Sequence, residues 1–99
     1  MTIERTAENE SMVLAVGGEL TALSAEQLNR AIDKALSETS SLVLDFADLD
    51  YLASAGLRVL LRAKKIVDSR GGNFSIRHAS PEVMNVFEIT GFSNILDIH

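Results

Sequence analysis

Apolar residues return at two spacings along this 99-residue chain, and the two spacings alternate. Ile3 to Ala7 and Met12 to Val16 read as short strands, and the polar stretch Glu8-Asn9-Glu10 between them predicts an antiparallel hairpin. The pair Gly17-Gly18 is expected to end the second strand. Leu42 to Phe46 reads as a third strand, with Leu42, Leu44 and Phe46 on one side and Val43 and Asp45 on the other. Phe74 to His78 alternates as a fourth, with His78 on its surface, and Ile95 to Ile98 as a short last strand.

Between these runs the period lengthens to that of a helix. Helices are expected near 24–37, 54–70 and 81–90. Ser24 and Gln27 fit a reciprocal capping pair, with Leu23 and Leu28 placed to clamp it. Ala25, Leu28, Ile32, Ala35 and Leu36 then form one apolar face. Ala47 to Ala53 reads as a loop, and Ser54 at or near a cap begins the second helix. Leu57, Leu60 and Leu61 line that helix, and Gly71-Gly72 closes it. Ser80-Pro81-Glu82 sets a third start, and Gly91 stops that helix with Phe92 folding back.

The order is ββαβαβαβ, an α/β pattern. It predicts one domain over 1–99: a mixed, largely parallel sheet of four to five strands with three to four helices. Leu44, Phe46, Leu60 and Phe87 are the expected centre of the core.

Composition narrows the classes. At 46% hydrophobic and 23% charged residues the chain is expected to fold, not to stay disordered. The absence of cysteine excludes disulfides, thiolate nucleophiles and cysteine-bound zinc. The longest apolar run, Met12 to Val16, falls far short of the ~20 residues of a membrane helix. No apolar stretch behind Met1 to Arg5 marks an export signal, so a cytoplasmic place is expected. The net charge of −5 argues against a nucleic-acid partner. Five basic residues against Asp68 put +4 between positions 58 and 70, so the remainder carries −9.

Little catalytic chemistry is present. Ala53-Ser54-Ala55-Gly56 is not a nucleophile elbow, and neither His78 nor His99 has metal-ligand spacing. Neither glycine pair precedes the Lys-Ser/Thr of a phosphate loop. No cofactor or metal is called for, and an enzyme is not expected. Asp45, Asp48 and Asp50 follow one another at a strand end. They fit either turn chemistry, the favoured reading, or a magnesium or phosphoryl site.

One segment is more informative. Ser54 is flanked by Ala53, Ala55 and Gly56, all small, and Arg58 and Arg62 follow at i+4 and i+8, so they are expected roughly to share its face. Gly56 inside a first turn costs roughly 0.5–1 kcal/mol relative to Ala, with no evident structural return in the sequence. A helix N-terminus accepts a phosphate through its free amides and dipole. A phosphoserine there adds about −1.5 to −2 charge units. This is a physical design for a switch that blocks a docking surface without unfolding the domain.

Leu42 to Phe46 and the core Ala53-Ser54-Ala55-Gly56-Leu57-Arg58-Val59-Leu60-Leu61 resemble the STAS domain of bacterial anti-sigma factor antagonists. So do Gly18-Glu19-Leu20-Thr21, Ser80-Pro81-Glu82-Val83 and Phe87-Glu88-Ile89-Thr90-Gly91-Phe92, and the resemblance spans essentially the whole chain. It implies a partner switch. The unphosphorylated antagonist binds an anti-sigma factor that is also a serine kinase, freeing sigma factor. Phosphorylation ends binding, and a phosphatase resets it. Ser54 falls on the family's phosphorylated position; the residue before it, often Asp in the family, is Ala53. The implied docking surface is Glu19, Thr21, Tyr51, Ala53, Ser54, Ala55, Gly56, Leu57 and Arg58. The same resemblance allows a second role, as an accessory subunit of a membrane transporter docking an ATPase without phosphorylation. A third reading is an enzyme or receiver using the three aspartates.

Overall fold

Alternation puts Met12, Leu14 and Val16 on one side of a strand, and the computed structural model, which describes Met1–His99, buries all three. That strand, β2 (Ser11–Leu20), pairs antiparallel with β1 (Thr2–Glu8). The chain continues through α1 (Ala25–Leu36), β3 (Ser41–Asp45), β4 (Leu49–Leu52), α2 (Ser54–Ser69), β5 (Asn73–Arg77), α3 (Pro81–Thr90) and β6 (Asp97–Ile98). A short 3-10 turn, Phe92–Asn94, precedes the last strand. The sheet order is β1-β2-β3-β5-β6, with β4 paired to the far end of β2. All pairings except the first hairpin are parallel.

Register decides which face is wet. Leu14, Leu44 and Ile76 stand in line across β2, β3 and β5, as do Met12, Leu42 and Phe74. Leu28 and Ile32 of α1, Leu60 and Val67 of α2, and Phe87 of α3 close over them in one cluster. The opposite row, Ala15, Asp45 and Arg77, remains half-exposed. Leu44, Phe46, Leu60 and Phe87 are fully buried, as expected. No helix is long and apolar enough to cross a membrane.

The sheet has six strands, not four or five, because Leu49–Leu52 is a strand where a loop was expected. Its ends, Leu49 and Leu52, are buried, while Asp50 and Tyr51 are exposed, so strict alternation is missing. Nor does Gly17-Gly18 end β2. Gly18 adopts φ 91°, which a glycine tolerates, and the register shifts between Gly18 and Glu19 as the strand continues beside β4.

The helices lie within a residue or two of the expected ranges, but their starts differ in chemistry. Ser80 caps α3 as expected, its Oγ accepting from the Val83 amide at 3.2 Å, and Gly91 ends it in the left-handed conformation. Ser24 stands at the cap position of α1, but its side chain makes no capping bond and Gln27 is not its partner. Its Oγ accepts from the Thr21 amide (3.0 Å) and donates to the Glu19 carbonyl (2.8 Å), bracing the preceding loop instead. Leu23 clamps nothing and is 98% exposed. His78 lies just past β5 with φ 62°, turned out of the strand it was expected to continue.

Candidate functional site

The candidate surface is assembled where β2 and β4 end side by side. Glu19 is in register with Tyr51, and Leu20 with Leu52. The Ala53 amide then donates to the Leu20 carbonyl at 2.9 Å, so the chain enters α2 tied to the end of β2. Ala53 is the extended capping residue (φ −96°, ψ 172°), and Ser54, expected at or near the cap, begins the helix. The Ala53 carbonyl accepts from the Gly56 amide at 2.9 Å and the Leu57 amide at 3.3 Å. A methyl side chain accepts nothing, so the amides of Ser54 and Ala55 have no partner in the fold. No acidic residue occupies the first turn to balance this positive end.

Ser54 is exposed at the first helical position, and Ala55 and Ala53 beside it are half-buried. Glu19, Tyr51 and Arg58 are exposed; Thr21 is half-buried and accepts from the Leu23 amide at 3.2 Å. Leu57 leans into the core. Arg62 does not share the Ser54 surface: it turns to α1, donating to Asp33 at 2.8 Å and Asn29 at 3.3 Å.

Gly56 lies beneath this surface, buried, and its cost has a structural return. A Cβ there would meet Leu52 Cδ1 at 2.5 Å and Leu20 Cγ at 2.7 Å, both on buried side chains. The missing side chain lets the first turn of α2 sit directly on the ends of β2 and β4. Gly56→Ala should therefore destabilise the protein by about 1–3 kcal/mol through overpacking, despite the better helix propensity of Ala. A urea midpoint equal to or above the parent's would contradict this close approach.

Between β4 and α3 lies a shallow cavity of about 170 Å³, lined by Asp50, Tyr51, Leu52, Glu82, Val83 and Val86. The sequence reading did not single out this cavity, nor Leu23 as an exposed side chain. No local pattern marks either, since both depend on how separate elements meet.

The three aspartates are not gathered into one group. Asp45 Oδ1 accepts from the Ala47 amide at 3.0 Å, a local turn, and Oδ2 from Arg77 Nε at 3.1 Å. His78 Nδ1 lies 3.1 Å from the same carboxylate, and Arg77 reaches on to both Glu8 oxygens. Asp48 and Asp50 are exposed on the following segment. No three His, Asp or Glu side chains are grouped to hold a metal ion.

Partial burial pushes the Asp45 carboxyl up, but the Ala47 amide, Arg77 and His78 outweigh it and hold the group below its ordinary value. Arg77 holds Glu8 low as well, chiefly by hydrogen bonding. Both carboxyls thus bind protons less readily folded than unfolded. Their stabilisation is present above the ordinary values, 3.8 for Asp45 and 4.5 for Glu8, and is lost as pH falls through the lower folded values. Asp45→Asn should flatten the acid limb of a plot of denaturation midpoint against pH. An acid limb as steep as the parent's would show that this cluster does not contribute.

Known proteins share this fold. The family model described as "Mlab, STAS domain" matches residues 3–97. The anti-sigma-B factor antagonist of Bacillus subtilis is 30% identical over 91 residues, covering 92% of this chain and 83% of that protein. An anti-sigma factor antagonist from Mycobacterium paratuberculosis superposes with a TM-score of 0.91 at 21% identity, over 99% of this chain and 84% of that one. Unphosphorylated SpoIIAA, also an anti-sigma factor antagonist, gives 0.83 at 21% identity, over 99% and 88%. Phosphorylated SpoIIAA of Bacillus gives 0.76 at 20%, over 99% and 91%. At such identities the solved structures establish the fold.

Proposed function

The chain belongs to the STAS domain family, and from that premise we propose that it is an anti-sigma factor antagonist switched by phosphorylation of Ser54. Unmodified, it binds an anti-sigma factor serine kinase through Glu19, Thr21, Tyr51, Ala53, Ala55 and Arg58 around Ser54, and sigma factor is released. Gly56 and Leu57 support that surface from below. The observation that carries the reading is Ser54 itself, exposed at an uncapped helix start beside the end of β2. SpoIIAA exists in both unphosphorylated and phosphorylated forms, which supports carrying the same switch to this relative.

In the switching step Ser54 Oγ attacks the γ-phosphorus of ATP. A new O–P bond forms as the bond to the bridging oxygen breaks, ADP departs and the hydroxyl proton is released. The product sits beside the unpartnered Ser54 and Ala55 amides, with Arg58 one turn further on. Charge arrives on a surface of small side chains while the core beneath is untouched. A serine phosphatase reverses the step by hydrolysis. Sigma-factor control places the protein in the cytoplasm, and the function requires no catalysis by this chain.

The test is incubation with the purified anti-sigma factor serine kinase of the same genome and Mg-ATP, read by intact mass and by binding. The parent should gain one phosphoryl group and lose affinity. Ser54→Ala should bind and stay unmodified. A parent that neither binds nor gains mass refutes the reading. Tight binding to a transporter ATPase would then favour the accessory-subunit role.

A further inference from the structure

We infer that Leu23 is the anchor side chain by which this surface selects its partner, and that the partner offers it an apolar pocket rimmed by basic residues. The inference rests on the antagonist function proposed above and specifies the chemistry of the kinase face that fits it.

A lone exposed leucine is ordinary. This one is held in place. Its own amide donates to Thr21 Oγ1 at 3.2 Å. The Thr21 carbonyl accepts from the Ser24 amide at 3.2 Å and the Ala25 amide at 2.9 Å. Ser24 Oγ bridges the Thr21 amide and the Glu19 carbonyl. A hydrogen-bonded turn thus presents a 98% exposed aliphatic side chain in one backbone geometry, and little backbone freedom is left to lose on binding.

The turn is continuous with the Ser54 surface. Glu19, braced by Ser24, is in register with Tyr51, which is 54% exposed and borders the cavity between β4 and α3. A projecting leucine, an exposed aromatic ring and an apolar hollow therefore lie on one stretch of surface.

Charge identifies the complement. Glu19, Asp50 and Glu82 are exposed on this stretch, and none is in a salt bridge. Arg58 is the single base among the proposed docking residues. A face so acidic is matched by a basic rim around the pocket that takes Leu23.

The test is titration calorimetry of the parent, Leu23→Ala and Ile95→Ala against the purified anti-sigma factor serine kinase at low and high salt. Ile95, 48% exposed just before β6, is the control. The strands from β2 to β6 run parallel, so it lies at the opposite end of the sheet from the ends of β2 and β4. Leu23→Ala should weaken binding roughly 10- to 100-fold, the loss of one buried leucine contact, with its melting temperature unchanged. Ile95→Ala should bind as the parent does, and the parent's affinity should fall as salt rises. Leu23→Ala within twofold of the parent, or a lowered melting temperature, overturns the anchor. Salt-independent affinity overturns the basic rim. A parent that does not bind the kinase refutes the functional reading, and the anchor with it; a parent that binds while Leu23→Ala matches it refutes the anchor alone.

Discussion

Ser54→Asp is expected to weaken partner binding by more than about a hundredfold, a loss of ~3 kcal/mol, while leaving the protein at least as stable as its parent. The two effects have opposite signs because the residue has two environments. In the free protein the Ser54 hydroxyl makes no hydrogen bond, so nothing is broken by replacing it. A carboxylate at the first position of α2 meets two unpartnered amides and the positive end of the helix. That interaction is worth about 0.3–1 kcal/mol near the surface. In the docked complex the small side chains of Ala53 and Ala55 let the partner approach closely, and the same carboxylate loses its water without gaining a partner. Calorimetry against the kinase and a thermal melt check the two halves together. Parent-like affinity, or a fall in melting temperature, would contradict this account of the site.

The other large effect concerns the core. Leu60→Ala should cost about 2–5 kcal/mol, because Leu60 is fully buried at the middle of α2 and its removal leaves a cavity in the core cluster. Domains of this size are held by about 5–15 kcal/mol, so the variant forfeits a large share of its stability. The check is the midpoint of urea denaturation. An unchanged midpoint would mean that α2 does not pack by this face.

Much of the fold was readable because the informative signals are local. The apolar period of α1 and α2 and the Ser80-Pro81 start of α3 each lie within a few consecutive residues. What escaped depends on neighbours distant in sequence. β4 has only four residues, two of them exposed in the middle, and becomes a strand because the end of β2 lies beside it. The need for Gly56 arises partly from Leu20, on another element. Ser24 had a local partner available in Gln27, yet its hydroxyl is used by the loop before it. Ser54 was legible as a candidate from its small neighbours and helix start, whereas Leu23 was not, because exposure cannot be read from an apolar residue's position in a loop.

The bond from the Ala53 amide to the Leu20 carbonyl, with Gly56 pressed onto Leu20 and Leu52, has a bearing on time. It ties the start of α2 to the end of β2, from which the loop through Leu23 departs. On the proposed function, the duration of each state is then set by the chemistry of an ester on Ser54. On that proposal the off state would last as long as the ester survives, and its clock would belong to the enzymes that make and cleave it.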